Sequence, residues 1–452
     1  MKVDTVVVGA GLSGLVSALR LQRAGVNVVV LEARDRVGGR TLNVPIGPGK
    51  VVELGGQWAG PRHREILRVA AEVGVGTFPT YIAGEHLFSR SGKLSRYAGD
   101  IPARMPLGLL DFRIAQARLE RLARRLDLED PAGSAWARRL DTGTAQSWID
   151  RHLHTRSGRD LMRLTIKAVL AAEPSELSLL HWLFYIATGG GLDSLIRTDG
   201  GYQQDRFVGG SQEIATRLAG LLGDRVRLGS AVHRVEYDVR SVRVHTDDTV
   251  IEAANVILAI PPALAATVEF APALPALRTQ LFGRMPPGTV IKFVAVYPAP
   301  FWRDAGLSGH AVQLDGPISM TFDNSPPDGD PGALVAFALA DDARALGELE
   351  AADRRDRVLG VLVELFGPDA ARPEQFHEVS WAAERWTRGC YAGFFGPGGW
   401  TAYGDVLRRP YGPLFWAGAE TAFEAHGSMD GAISAGERAA REVLAELPAR
   451  VG

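Results

Sequence analysis

The fold is decided by residues 3–40, which read VDTVVVGAGLSGLVSALRLQRAGVNVVVLEARDRVGGR. Apolar spacing predicts a buried strand over 4–8, a helix over 12–22 and a second buried strand over 26–31. A glycine turn with the spacing GxGxxG joins the first strand to the helix, and an acidic residue, Glu32, ends the second strand. This order of strand, glycine turn, helix, strand and acidic residue predicts a site for an ADP moiety.

The three glycines of the turn have separate physical tasks. Gly9 allows the tight turn out of the strand, Gly11 lets the backbone approach a pyrophosphate, and Gly14 lets the helix pack closely on the sheet. The N-terminus of the helix points its free N–H groups at the phosphates. Glu32, eighteen residues after Gly14, is therefore placed to accept hydrogen bonds from a ribose.

Composition excludes several classes of protein. At 452 residues the chain exceeds what one hydrophobic core usually supports, so we expect two domains. The net charge of −2 and the lack of a basic block give no reason to expect a nucleic acid partner. No apolar run approaches the roughly 20 residues of a membrane helix, and the first strand begins too early to leave room for a signal peptide. We therefore expect a cytoplasmic protein without a membrane partner.

The rest of the chain predicts an α/β fold with two domains. Helical periodicity dominates residues 106–188, and four short strands between 226 and 262 are interpreted as a return to the nucleotide-binding sheet. Near the C-terminus, a predicted strand, a glycine turn and a helix follow in the same order as in residues 4–22. The predicted limits are a discontinuous Rossmann-like domain of the GxGxxG type over 1–78, 211–288 and 390–452, and an α+β substrate domain with a mixed sheet and helices over 79–210 and 289–389.

Eight motifs occur in order along the chain. They are VVVGAGLSGL, LEARDRVGGRT, LGGQWAGP, DRFVGGSQEI, NVILAIPP, VIKF, GCYAGFFGPG and LFWAGAETAFEAHGSMDGAISAGERAAREVL. Together they closely resemble the flavin-dependent monoamine oxidase family, and the resemblance covers essentially the whole chain. It implies a monoamine oxidase-like fold, FAD as the cofactor, and an amine and O2 as small-molecule partners. A homodimer is left open.

The resemblance also implies which residues bind FAD. Glu32 would bind the adenosine ribose, and Val232 would hold the adenine through its main chain. Arg34 and Arg40 would lie beside the pyrophosphate and the flavin. The implied cofactor-binding set is Gly9, Gly11, Gly14, Glu32, Ala33, Arg34, Gly38, Gly39, Arg40, Gly55, Gly56, Gln57, Val232, Trp381, Cys390, Gly418, Glu420, Ser428 and Met429.

Two residues stand out for their chemistry. Lys292 lies in the apolar run VIKF, where a free ammonium costs several kcal/mol to bury unless it is neutralised or finds an acceptor. The resemblance makes it catalytic, reaching flavin N5 through a water and assisting the reaction with O2, whereas a snorkelling strand-end lysine is the plain alternative. Cys390 matches the cysteine that some family members bond to the flavin 8α-methyl group. We therefore predict an 8α-S-cysteinyl FAD, with a small core residue as the alternative.

The substrate pocket departs from the family pattern. Monoamine oxidases flank the amine with two aromatic rings; Tyr391 matches the first and is implied to be catalytic, but Ser428 occupies the second position. Half of this cage is missing, which leaves more room and a hydroxyl beside the flavin. Whether Trp381, Phe394 or His426 supplies another wall stays open. The remaining substrate contacts that the resemblance implies are Trp58, Gln203, Met320 and Phe337.

The sequence as a whole predicts FAD-dependent oxidation of a primary, hydrophobic or aromatic amine. The product is an imine, which hydrolyses to an aldehyde or ketone and ammonia, while O2 is reduced to H2O2. One alternative is an oxidase of the same fold that acts on a polyamine, an amino acid or a biosynthetic intermediate. Another is a flavin-binding protein without catalysis, and a pyridine-nucleotide dehydrogenase would explain neither Lys292 nor Cys390. No spacing typical of a metal site or a hydrolytic triad is found.

Overall fold

The computed structural model describes the backbone of residues 1–99 and 105–450 and the side chains of residues 1–99 and 105–446. In these ranges the strands are β1 (Thr5–Val8), β2 (Val28–Leu31), β3 (Asn43–Gly47), β4 (Lys50–Glu53), β5 (Trp58–Ala59), β6 (Thr77–Pro79), β7 (Glu85–Arg90), β8 (Lys93–Tyr97), β9 (Asp205–Phe207), β10 (Val226–Arg227), β11 (Val232–Tyr237), β12 (Val242–Thr246), β13 (Val250–Ala253), β14 (Asn255–Leu258), β15 (Glu269–Ala271), β16 (Val290–Tyr297), β17 (Leu307–Gln313), β18 (Met320–Asp323), β19 (Gly332–Leu339), β20 (Gln375–Ser380) and β21 (Leu414–Trp416).

The same ranges contain the following α-helices, of which α3 to α8 follow one another without an intervening strand. They are α1 (Leu12–Arg23), α2 (Arg64–Glu72), α3 (Pro106–Ala123), α4 (Ala135–Asp141), α5 (Ala145–His152), α6 (Arg156–Leu170), α7 (Leu179–Thr188), α8 (Leu192–Ile196), α9 (Gln212–Leu222), α10 (Pro262–Ala265), α11 (Ala276–Arg284), α12 (Phe301–Asp304), α13 (Asp341–Gly347), α14 (Ala351–Phe366), α15 (Gly399–Arg408) and α16 (Met429–Arg450).

The glycine turn belongs to a parallel sheet with the strand order β10-β2-β1-β14-β21. Both faces of this sheet are covered, so β1, β2, β14 and β21 are buried at every position and read as continuous apolar runs. Helix α1 packs against α16 and α9. The strands come from well-separated parts of the chain, and the Rossmann-like architecture predicted from the opening motif is confirmed. The predicted domain limits stay a prediction.

One interpretation of the sequence is wrong in part. Of the strands between 226 and 262, only β10 and β14 join the parallel sheet, whereas β11 and β12 belong to a separate four-stranded sheet with the order β13-β12-β11-β15. The physical reason is visible in their burial. Strand β12 alternates buried and exposed residues along its length, as in an antiparallel sheet with one solvated face, whereas β14 is buried throughout.

A seven-stranded sheet forms the second half of the molecule, with the order β20-β16-β19-β18-β17-β7-β8. All of its pairs are antiparallel except β17–β7. One face of β16 and β19 packs on α13 and α14, because Ile291, Phe293 and Leu334 share a hydrophobic cluster with residues of those helices. The opposite face carries Lys292 and Phe337 and is turned toward the region of β4 and β5. Helices α3, α5, α6, α7 and α8 contribute to a separate hydrophobic cluster.

Candidate active site

One cavity of about 420 Å³ connects the glycine turn with the inner face of the seven-stranded sheet. All the residues that the sequence predicts for cofactor and substrate line it, with two exceptions, Gly14 and Glu420. A Cβ on Gly14 would overlap the carbonyl oxygen of Gly9 and approach the Cβ of Ala259 at 3.2 Å, so this glycine serves the packing of α1 on the sheet. Glu420 lies behind the wall of the cavity.

At the nucleotide end of the cavity, the backbone of the glycine turn packs directly against the backbone that follows β14. Gly9 has a φ of +102°, which a residue with a side chain rarely adopts, and a Cβ there would stand 2.8 Å from the carbonyl oxygen of Ala259. Glu32 is buried, and its carboxylate accepts hydrogen bonds from the backbone N–H of Ala10 (2.8 Å) and of Arg34 (3.0 Å). This arrangement leaves a groove of free backbone at the N-terminus of α1, which fits a pyrophosphate.

Two arginines on the cavity wall are held by acidic partners. Arg40 donates to both carboxylate oxygens of Glu420, at 2.6 and 3.0 Å, and to the carbonyl oxygen of Tyr391 at 2.8 Å. Burial opposes the charge on Glu420, but the guanidinium of Arg40 outweighs burial and lowers the pKa of that carboxyl. Arg34 pairs with Glu384. Both arginines are therefore fixed in place on the cavity wall by ion pairs, and neither is a free cation.

Lys292 is buried on β16, where burial lowers its pKa to about 7. Its Nζ donates to the carbonyl oxygen of Gly55 at 3.0 Å and to Gln57 Oε1. An ammonium has only donors, so Gln57 must turn its oxygen toward the lysine and its NH2 group away. That Nε2 donates to Asn324 Oδ1 at 2.7 Å. A chain of neutral amides thus positions Lys292 at the cavity.

Strand register explains why the substrate residues stand together. Lys292 pairs with Phe337, Phe337 with Met320, and Met320 with Val312, so one row across β16, β19, β18 and β17 lines the cavity. Trp58 faces this row from β5, with its ring centroid 5.8 Å from that of Phe337. The predicted aromatic and thioether contacts therefore form a single surface.

Several lining residues were missed from the sequence. Phe322 and His310 lie two positions from Met320 and Val312 on their strands, and period-two alternation could have placed them on the same face. A face of the correctly predicted helix α6 also lines the cavity, and helical spacing could have found it: Leu161, Leu164, Thr165, Ala168 and Val169. Tyr185 comes from α7, which is buried almost all round and shows no preferred face.

The serine at the second cage position does not offer a free hydroxyl. Ser428 Oγ donates to the carbonyl oxygen of Ala425 at 2.6 Å and accepts from the N–H of Gly431 at 3.1 Å, so it caps the start of α16. Tyr185 approaches this place instead, with its hydroxyl 3.1 Å from where a Cβ on Gly427 would stand. Among the side chains named as possible walls, Trp381 lines the cavity, whereas Phe394 and His426 do not.

Tyr391 and its neighbour complete the wall near Arg40. Tyr391 lines the cavity, and Cys390 is buried beside it. Burial raises the pKa of the Cys390 thiol to about 12. A thiol in this state is a poor nucleophile by itself, since the thiolate is the reactive form.

A dinucleotide groove that opens into an apolar chamber with a buried lysine is the arrangement that the sequence predicts for a flavin-dependent oxidoreductase. The comparison with known families agrees: the family described as flavin containing amine oxidoreductase matches residues 12–444, and the chain belongs to it. The chain is 38% identical to amine oxidase [flavin-containing] B of Sus scrofa over 98% of this chain and 86% of that protein. FAD is accordingly the cofactor, and the protein is an FAD-dependent amine oxidase.

Solved structures of the same fold bear this out. Wild-type putrescine oxidase bound to putrescine superposes with a TM-score of 0.95 at 35% identity, covering 98% of this chain and 99% of that one. Cyclohexylamine oxidase from Brevibacterium oxydans superposes with a TM-score of 0.94 at 31% identity, covering 99% of each. Among the helices of the described ranges, none is long and apolar enough to cross a membrane.

Proposed function

We propose that the protein oxidises a primary monoamine with a hydrophobic or aromatic body. RR′CHNH2 and O2 give RR′C=NH and H2O2, and water then converts the imine to the aldehyde or ketone RR′C=O and NH3. One observation carries the proposal: among the described residues that line the cavity, the only carboxylate is Glu32, which belongs to the nucleotide end. The substrate end is mainly aromatic and aliphatic, and its polar residues, such as Gln203, Lys292 and His310, carry no carboxylate.

The lining residues argue against the two nearest alternatives. A diamine or polyamine would bring a second ammonium into the chamber, and a buried ammonium needs an acidic partner. An amino acid would need a cation for its carboxylate, but Arg34 and Arg40 are occupied by Glu384 and Glu420. A monoamine requires neither partner. For this reason putrescine, which is bound in one structural neighbour, is not the substrate we expect.

Gln203 is the group we assign to the amine. Its Nε2 donates to the carbonyl oxygen of Leu195 at 3.1 Å, which leaves Oε1 as a buried acceptor without a partner among the described residues. An amine N–H can satisfy it, because a buried acceptor without a hydrogen bond is costly. Trp58, Met320 and Phe337 then enclose the hydrophobic part of the substrate, and Tyr391 forms the wall toward Arg40.

The chain also supplies what the cofactor needs. Bound FAD would supply the redox chemistry, namely removal of a hydride equivalent from the carbon next to nitrogen and transfer of the electrons to O2. Lys292 holds a water through its amine and, when protonated, places a positive charge where O2 gains negative charge. The glycines at 9, 11, 38 and 39 leave room for the dinucleotide, and Cys390 lines the same cavity as the residue that would be joined to the flavin 8α carbon. The domain limits, a homodimer and a cytoplasmic location stay predictions.

The test is peroxide release with a panel of amines. Benzylamine, phenylethylamine and cyclohexylamine should each release H2O2, whereas putrescine and the common amino acids should release little. N-acetylphenylethylamine keeps the aromatic body without a basic nitrogen and serves as the control. Faster turnover of putrescine than of any monoamine would contradict the proposal.

A further inference from the structure

A histidine lies at the end of the chamber remote from Lys292. His310 on β17 lines the cavity, and its ring stacks on Phe322 with centroids 4.6 Å apart and planes 7° from parallel. Among the described residues, none forms a hydrogen bond with either ring nitrogen of His310. Stacking on Phe322 fixes the plane of the imidazole at the wall of the chamber.

This imidazole is neutral at physiological pH. Burial, reinforced by the neighbouring His86 whose ring centroid is 4.9 Å away, lowers the pKa of His310 to about 3. His86 itself is engaged with Ser308 Oγ at 2.6 Å. A neutral imidazole carries one donor and one acceptor. The group that suits it best is uncharged and can both donate and accept, which describes a hydroxyl.

Sheet geometry gives the distance to the reacting end. From Lys292 to Val312 there are three strand-to-strand steps of about 4.8 Å each, or about 14 Å between Cα atoms. His310 is two residues from Val312 on the same face of β17. An amine that reacts near Lys292 must therefore be elongated before its far end reaches His310.

We propose that His310 forms a second polar subsite that binds a hydroxyl group at the far end of the amine, and so selects hydroxylated arylalkylamines over their unsubstituted counterparts. The proposal rests on the monoamine oxidase function proposed above and adds a specificity determinant to it. The aromatic surface of Trp58, Phe322 and Phe337 holds the ring of such an amine, with Trp58 and Phe322 centroids 5.0 Å apart. When such an amine binds, its hydroxyl loses its hydrogen bonds to water and forms hydrogen bonds with His310.

The test compares 4-phenylbutylamine with 4-(4-hydroxyphenyl)butylamine, which differ only in the hydroxyl and have a longer chain between the amine and the ring than phenylethylamine. One good hydrogen bond corresponds to about a tenfold difference, so the wild type should favour the hydroxylated amine about tenfold in kcat/KM, mainly through KM. His310→Leu should abolish the preference, and His310→Gln, which keeps a donor and an acceptor, should retain part of it. His154→Leu, the same change at an exposed histidine that does not line the cavity, should leave the ratio unchanged.

A measurement on the unaltered protein guards against variants that fail to fold. Competitive inhibition by p-cresol should be about tenfold stronger than by toluene. Equal inhibition by the two, or a preference that survives in His310→Leu, overturns the subsite while leaving the amine oxidase function in place. Failure of the wild type to oxidise either amine would instead overturn the monoamine function on which the subsite rests.

Discussion

Replacing Gln57 by glutamate should restore an ordinary charged lysine at position 292. In the wild type, Lys292 has only neutral acceptors, Gly55 O and Gln57 Oε1, and burial lowers its pKa to about 7. Glutamate would keep an oxygen in the same place and add a charge. Asn324 can accommodate the change, because its Nδ2 is buried without a partner among the described residues and a rotated amide would donate to the new carboxylate.

The size of the effect follows from the contact. Two unit charges about 4 Å apart attract by about 4 kcal/mol at an effective dielectric constant of about 20. One pKa unit corresponds to about 1.4 kcal/mol, so the lysine pKa should rise by about 3 units. The wild-type lysine loses its charge as the pH rises through about 7, and in Gln57→Glu it should stay charged up to about pH 10.

NMR of protein labelled with 13C at lysine Cε measures this directly. The chain has only five lysines, so the spectrum is simple, and Lys292→Arg identifies the signal. Lys167 is an internal reference: burial lowers its pKa, but the ion pair with Asp342 at 2.6 Å more than compensates, and the net shift is upward. The rate at which O2 reoxidises the reduced enzyme should show a matching step near pH 7 in the wild type.

Two outcomes would refute this reasoning. A wild-type Lys292 that titrates at its ordinary pKa of 10.5 would mean that burial does not set its charge. An unchanged midpoint in Gln57→Glu would mean that the two side chains are not in contact. Gln57→Leu is the matched control, because it removes the acceptor without adding a charge and should leave the pKa at or below about 7.

Three further predictions concern the cofactor end. Gly14→Ala should lower the flavin content of the purified protein, read as the ratio of 450 to 280 nm absorbance, because the new methyl group overlaps Gly9 O; a full complement of flavin would contradict it. Glu420→Gln should destabilise the holoprotein in denaturant by about 3–5 kcal/mol, since it leaves Arg40 without its charged partner; an unchanged midpoint would show that the pair contributes nothing. Cys390→Ala should release all flavin on acid precipitation, whereas the wild type should keep it in the pellet; a yellow wild-type supernatant would exclude the tether.

The cofactor half of the molecule could be predicted from sequence because its signals are local. The strands at Thr5–Val8 and Val28–Leu31 are buried on both faces, so hydrophobicity alone marks them. Between them, Gly9 has a backbone conformation that other residues rarely adopt, and both Gly9 and Gly14 lack room for a Cβ, which restricts the residue type at fixed spacing. Only the partition of strands into two sheets was misjudged, since local alternation does not specify the neighbouring strand.

The substrate half could be predicted only in part, because its contacts depend on register. Alternation within a strand can place Phe322 on the same face as Met320, but the pairing of β18 with β17, which brings His310 beside Phe322, is not revealed by any single stretch of sequence. Tyr185 lies on a helix buried almost all round, where apolar spacing gives no direction. Ser428 lines the cavity, but its hydroxyl caps the start of α16 and is not free to contact a ligand. Whether a serine hydroxyl bonds the backbone in this way depends on the residue at which the helix begins.

Charged side chains are paired at one end of the cavity and unpaired at the other, and this difference determines the protonation state in which the amine binds. Arg40 and Glu420 keep their charges because each is the ion-pair partner of the other. Burial lowers the pKa values of Lys292 and His310, and neither side chain forms an ion pair with a carboxylate among the described residues. A protonated amine in the chamber would be a further buried cation without an acidic partner, so the amine binds in its neutral form. Deprotonating an alkylammonium with a pKa of about 10.4 costs about 5 kcal/mol at pH 7 and about 2 kcal/mol at pH 9. Amine binding therefore improves as pH rises, while Lys292 loses the charge that assists O2, and these opposing trends confine efficient turnover to the interval between the two pKa values.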